Sequence, residues 1–142
     1  MSIVSETRLR VRYAETDQMG VVYYSNYLVW MEVGRTDFCL KSGFRYRDME
    51  SDDGVAIAVA EVQCRYHAPA RYDDEILVRT SLKRLRRRTM VFRYQVVHVA
   101  TERLLAEGIT KHVVVDMKSE RPRSIPPHHY TMLQAAESPD SD

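Results

Sequence analysis

Residues 7–13, TRLRVRY, alternate strictly: Thr7, Leu9, Val11 and Tyr13 fall on one side, Arg8, Arg10 and Arg12 on the other. A period of two with one wet face predicts a half-buried strand. The period changes at 25–42, where Tyr27, Trp30, Met31, Gly34 and Phe38 follow the spacing i, i+3, i+4, i+7, i+11 of one apolar helical stripe. Ser25 or Asn26 is placed to cap that helix, and Gly43 to end it in a left-handed conformation. Residues 14–23 read as a turn and 45–53 as a polar loop. From Gly54 onward the pattern is that of strands. In GVAIAVAEVQCRYH, Ala56, Ala58 and Ala60 share one face against Val55, Ile57 and Val59, and the alanine row would let a helix come close. APARYDD, 68–74, is a turn. EILVRTSLKRL, 75–85, sets Ile76, Val78, Thr80 and Leu82 against polar partners, with Leu77 the exception. Segments 89–99 and 104–117 follow, joined by the short loop ATER. Pro126 and Pro127 are placed to open a short helix, and ESPDSD, 137–142, reads as a disordered tail.

The order strand, helix, four strands predicts an α+β domain over residues 1–136, an antiparallel five-stranded sheet wrapped around one long helix. One helix covers one face of a sheet, so self-association is the economical way to cover what is left. At 142 residues the chain fits one core, and its formal net charge of +1 argues against a general polyanion binder. No apolar run is long enough to span a bilayer. The N-terminus lacks a basic-then-apolar leader, and Cys39 and Cys64 fit neither a metal spacing nor a disulfide framework. These features are read as reduced, buried thiols in a cytoplasmic protein.

The chemistry concentrates in RYAETDQMGVVYYSNYLVWMEVGR, Arg12 to Arg35. A helix N-terminus offers unpaired N–H groups and the positive end of the dipole, which can hold a developing oxyanion. Asp17 lies just upstream, where a carboxylate could act on the same carbonyl carbon, and Gly20 would let the backbone approach a ligand. The competing reading is that an acid in a pre-helical turn is a cap or Asx-turn residue. Glu15 is a local rival, and residue chemistry alone leaves the choice open. Arg84, Arg86, Arg87 and Arg88, with Thr89, form the densest basic patch, either a solvated turn or a phosphate contact. No basic field continues it, so nucleic acid is not an expected partner. Trp30 and Met31 are core residues or pocket lining. The five histidines read as satisfied surface or core groups. No carboxylate or cysteine stands at ligand spacing from His128–His129, so no metal is expected. No serine has a nucleophile-elbow context.

The stretch Tyr13 to Arg35 resembles the signature of hotdog-fold acyl-CoA thioesterases of the 4-hydroxybenzoyl-CoA thioesterase-like family. YHAPARYDDEILVRT, 66–80, is similar to that family's turn before its third strand, and RPRSIP, 121–126, to its closing segment. The resemblance implies a hotdog fold and hydrolysis of an acyl-CoA thioester. No cofactor is implied, coenzyme A being part of the substrate. It implies Asp17 as nucleophile or general base, and the backbone N–H groups of Tyr23 and Tyr24 as the oxyanion holder. Glu32 falls on the family's helix acid, and Gly20, Trp30, Arg86, Arg87, Arg88 and Thr89 would contact substrate. Many relatives have histidine where this chain has Tyr24, so the acyl group stays open and a titrating side chain is missing from that position. A homodimer or homotetramer with interfacial active sites is expected. The alternatives are a non-catalytic acyl-CoA or acyl-carrier-protein thioester-binding module and a hotdog enoyl-CoA hydratase or dehydratase.

Overall fold

The computed structural model describes residues 4–43 and 45–139. The chain runs β1 (Val4–Arg10), α1 (Asn26–Lys41), α2 (Tyr46–Asp53), β2 (Val55–Tyr66), β3 (Glu75–Leu85), β4 (Thr89–His98), β5 (Leu104–Asp116) and α3 (Pro127–Ala136). A 3₁₀ turn at Tyr13–Glu15 joins β1 towards α1. All strand pairings are antiparallel, in the order β1-β3-β4-β5-β2. This is the expected hotdog plan, a sheet wrapped on one long helix. Among the described residues no helix is long and apolar enough to cross a membrane.

The predicted stripe is the buried side of α1, joined by Cys39. Phe38 meets Phe92 of β4 edge to face, ring centres 5.7 Å apart. Beneath them Ile76, Val78, Thr80 and Leu82 of β3 are fully buried, as the alternation requires. Close approach of helix and sheet does not come from the alanine row. Ala58 and Ala60 are exposed on β2, an edge strand. It comes from Gly34, where an added Cβ would lie 2.6 Å from Thr80 Oγ1 and 2.8 Å from Val78 Cγ1. Gly108 of β5 does the same from the sheet side, since a Cβ there would meet Met31 Cε at 2.8 Å.

The segment read as a polar loop at 45–53 is the helix α2. Met49 anchors it fully buried, Tyr46 packs on the core beside it, and Gly54 ends it at φ +63. Tyr46 and Met49 alone in an acidic stretch make too short a stripe to show a period, which is why the pattern reads as loop. The helix cap is also different from expectation. Ser25 makes no side-chain cap bond, and the Asn26 amide instead donates to the Glu15 carbonyl at 2.9 Å. Gly43 has the expected positive φ of +103. At the far end, the Ser138 N–H donates to Leu82 O at 2.8 Å and Glu137 Oε2 accepts the Leu85 N–H at 2.9 Å. The ordered chain therefore continues past residue 136, and the last part of the expected tail, 140–142, lies outside the described residues.

Under α1 runs a chain of polar groups. Arg35 donates to the Tyr94 hydroxyl at 3.1 Å, which lies 2.6 Å from Thr110 Oγ1, itself 2.7 Å from His112 Nε2. Burial, aided by the Arg35 charge, pushes His112 down to about 3, so it stays neutral at physiological pH. His112 is the core histidine that the sequence suggests.

Gly34→Ala gains up to about 1 kcal/mol of helix propensity. It also drives a methyl into buried Val78 and Thr80, at a cost of about 1–3 kcal/mol. The expected result is a lower urea midpoint than wild type; an unchanged or higher midpoint would show that α1 can lift from β3 without penalty.

Candidate active site

The site is built by fastening the motif turn to the start of α1. After β1 the chain bends through the 3₁₀ turn and reaches Glu15, which is only 5% exposed. Its Oε1 accepts the Arg12 N–H at 2.8 Å and its Oε2 the Trp30 indole N–H at 2.8 Å. Its backbone carbonyl accepts the Tyr23 N–H at 2.9 Å as well as the Asn26 side chain. Glu15 is therefore a structural acid with both oxygens in use, and its candidacy as a reacting group falls away. Trp30 goes with it. The indole is buried in the core, held by Glu15 and packed on Tyr27 at 4.9 Å between ring centres.

Two residues on, Asp17 opens a tight turn. Its N–H donates to Val21 O and its carbonyl accepts the Gly20 N–H, both at 2.9 Å. Gly20 takes φ +77 with open space around it. Asp17 Oδ1 accepts the Met19 N–H at 2.8 Å and the Val21 N–H at 3.4 Å, an Asx-turn. Among the described residues nothing donates to Oδ2. The turn is stitched onward, since the Val22 N–H donates to Ala70 O at 2.9 Å and the Ala70 N–H to the buried Tyr27 hydroxyl at 3.0 Å.

Asp17 lines a cleft of about 420 Å³ with Val21 and Tyr24 on the motif side and Tyr27, Tyr66 and His67 opposite. The Tyr66 hydroxyl donates to Tyr24 O at 3.1 Å across it. Burial, with the Cys64 thiol beside it, pushes Tyr66 above the usual phenol range, so it remains a neutral donor. His67 Nε2 is 2.7 Å from Glu107 Oε2. The sequence reading set His67 aside. The structure thus supplies an imidazole in the cleft, and its partner Glu107 lies too far along the chain for local spacing to reveal.

The two expected oxyanion donors separate here. The Tyr23 N–H is already committed to Glu15 O, which corrects its assignment. Among the described residues the Tyr24 N–H, at the start of α1, donates to nothing. Other expected contacts lie elsewhere in the single chain. Glu32 is exposed on α1, beside Val33, Thr36 and Asp37 in a separate groove. Arg86, Arg87, Arg88 and Thr89 form the exposed β3–β4 turn, with the Arg87 guanidinium over the Tyr130 ring at 5.7 Å. None of these lines the Asp17 cleft. His128 and His129, for which no carboxylate stands at ligand spacing, have Asp53 beside them.

A five-stranded antiparallel sheet wrapped on one helix, with a carboxylate turn at that helix's start, defines the hotdog class. The chain belongs to the Thioesterase-like superfamily, whose pattern matches residues 11–136. It is 41% identical over 119 residues to YneP of Bacillus subtilis, covering 84% of this chain and 85% of that protein. It is 33% identical over 118 residues to the acyl-CoA thioester hydrolase YbgC of Escherichia coli, covering 83% and 87%. Its fold is similar to the crystal structure of TT1821 from Thermus thermophilus, with TM-score 0.88, 41% identity and coverage of 96% and 99%. It is also similar to the DHNA-CoA thioesterase from Staphylococcus aureus, with TM-score 0.85, 30% identity and coverage of 93% and 91%.

Glu15→Gln retains the shape but turns an amide N–H₂ towards one of two N–H donors that a carboxylate accepts. The expected loss is about 2–3 kcal/mol of stability by urea unfolding. Stability equal to wild type would remove Glu15 as the fastening of the turn.

Proposed function

We propose that this chain is an acyl-CoA thioesterase that hydrolyses an acyl-CoA thioester to the free acid and coenzyme A, with Asp17 as nucleophile or general base. The observation that carries the reading is the Asp17 carboxylate in the cleft at the start of α1, in a chain that belongs to the Thioesterase-like superfamily. The Asx-turn holds one Asp17 oxygen against backbone N–H groups and leaves the other for the thioester carbon or for a water attacking it. The negative charge that develops on the carbonyl oxygen would meet the Tyr24 N–H and the positive end of α1. The thiolate of coenzyme A is the leaving group. The relatives named above as an acyl-CoA hydrolase and a DHNA-CoA thioesterase support this reaction class.

The reading includes a homodimer or homotetramer with interfacial sites. β2 is a twelve-residue edge strand whose Val59, Val62 and Tyr66 are 51%, 41% and 44% exposed. These side chains pair with His112, Thr110 and Ala106 of β5, so they point to the helix side of the sheet. The outward side of α1 leaves Val29, Val33 and Leu40 exposed as well. A second copy added along β2 would cover both. It would also bring another chain's Arg86–Arg88 turn or Glu32 within reach of the cleft, for the phosphates of coenzyme A or for the acyl group. The reading keeps the protein in the cytoplasm, in line with free Cys39 and Cys64 thiols; burial pushes Cys39 up to about 12, which leaves it unreactive. The hydratase alternative wants a histidine at the helix start, where this chain has Tyr24; His67 enters the same cleft from just past the end of β2, so an enoyl-CoA hydration assay belongs beside the main test.

Free-thiol release from a panel of acyl-CoAs is the test. Asp17→Asn is expected to lose about 10²–10⁴ in kcat with the fold intact. Activity within a few-fold of wild type would remove Asp17 from the mechanism, and tight acyl-CoA binding without release by wild type would favour a binding module. Light scattering is expected to give at least twice the 16.6 kDa chain mass. Val62→Lys should shift that species towards monomer and lower activity together; a stable wild-type monomer at micromolar concentration would remove the interfacial site.

A further inference from the structure

One cluster of ligand-bearing side chains lies outside the cleft, where the end of α2 meets the start of α3. One donor atom from each of Asp53, His128 and His129 lies within 4.8 Å of the others. His129 Nε2 is 3.0 Å from Asp53 Oδ2, and His128 Nε2 is 3.8 Å from the same oxygen. The two imidazole rings sit 3.9 Å apart. We propose that Asp53, His128 and His129 bind a transition-metal dication, Zn²⁺ by preference, which clasps α3 to the end of α2.

The donor set selects the metal. Two imidazoles and one carboxylate suit Zn²⁺, whereas Ca²⁺ and Mg²⁺ want oxygen alone. With metal–ligand bonds of about 2.0–2.1 Å, tetrahedral donors stand roughly 3.3 Å from one another. The two nitrogen–oxygen separations bracket that value, and all three donors lie within 4.8 Å of one another, so ligation draws the two imidazoles together around the carboxylate by side-chain rotation. The arrangement is also redundant as an ion pair, because His129 alone would satisfy the carboxylate oxygen. Among the described residues His128 has no other polar contact than Asp53, yet its Nε2 faces the same atom.

The backbone supports the three positions. Asp53 is the last residue of α2, and the carbonyl end of a helix favours a cation there. Gly54 fixes the following turn at φ +63, and Arg123 Nη1 donates to the Asp53 carbonyl at 3.2 Å. That guanidinium is balanced by Asp116 at 3.0 Å, so it does not oppose a metal with a bare charge. His128 and His129 are the second and third residues of α3, after Pro127, so the first turn of that helix presents both imidazoles to Asp53. His129 is buried while the His128 side chain is 61% exposed, which leaves the remaining coordination to water. No residue of the Asp17 cleft takes part, so the metal acts on the fold and not on the thioester.

The clasp joins residues far apart in the chain, His129 being 76 positions from Asp53. A metal that binds only the folded chain raises its stability by mass action.

The experiment is calorimetric titration of the chelator-treated full chain with ZnCl₂, repeated with Co²⁺ to read the ligand-field spectrum. Wild type should bind one equivalent with a dissociation constant below about 100 μM. Co²⁺ should give a tetrahedral spectrum, and Zn²⁺ should raise the thermal midpoint. His128→Ala, an exposed position, should keep the circular dichroism of wild type and lose at least tenfold in affinity, and Asp53→Asn should do the same. Binding weaker than that limit overturns the proposal. So does equal affinity in His128→Ala, which would place the bound metal on donors outside this cluster.

Discussion

The buried carboxylate of Glu15 is the constraint on which the site depends. Its two oxygens accept the Arg12 N–H and the Trp30 indole N–H, and its carbonyl takes Tyr23 and Asn26. One residue thereby joins the end of the first strand segment, the motif turn and the first two turns of α1. A buried charge with unfilled lone pairs is costly, so this set of contacts admits little sliding. The Trp30 indole in turn packs on Tyr27, whose hydroxyl accepts the Ala70 N–H and whose ring meets Tyr66 at 5.2 Å. An unbroken series of contacts therefore runs from Glu15 through the core to the far wall of the cleft.

The two acids of the motif differ in their environments. Glu15 is enclosed, and every oxygen it has is bonded. Asp17 sits half-buried at the cleft, with one oxygen fixed by backbone N–H groups and the other without a donor among the described residues. The Asx-turn and the catalytic reading, which compete when only the residues are read, are compatible in three dimensions. The turn holds the carboxylate still, and a held carboxylate loses less entropy when it meets a reacting carbon.

Regular periods made much of this fold legible. The α1 stripe and the alternation of β3 both survive in the structure, because each element buries one continuous face. Elements that depend on one or two anchors were not legible. Helix α2 packs on the core through Tyr46 and Met49, and the alanine row of β2 looked like a helix seat although it lies on an exposed edge strand. The site follows the same rule. The Tyr13–Arg35 motif marked the candidate site, but the burial that separates Glu15 from Asp17 comes from Trp30, fifteen residues downstream of Glu15. His67 and the His128–His129 pair looked ordinary because their carboxylate partners come from distant strands and helices.

The single chain leaves its own account of the substrate unfinished in an informative way. Its edges differ. β1 is short, and its outward arginines are engaged, Arg8 with Glu75 and Arg10 with Asp73. Paired charges of this kind discourage strand addition. β2 is longer and apolar towards the helix side, and Tyr66 on that edge reaches into the Asp17 cleft. On the proposed reading, strand addition and substrate binding share this border. The cleft then gains a further wall when a second copy docks, and the arginines that lie remote from Asp17 in one chain become candidates to serve the Asp17 of another. The rigid fastening at Glu15 gains a further purpose in such an assembly, because a cleft completed by two chains stays in register only if each chain holds its own half still.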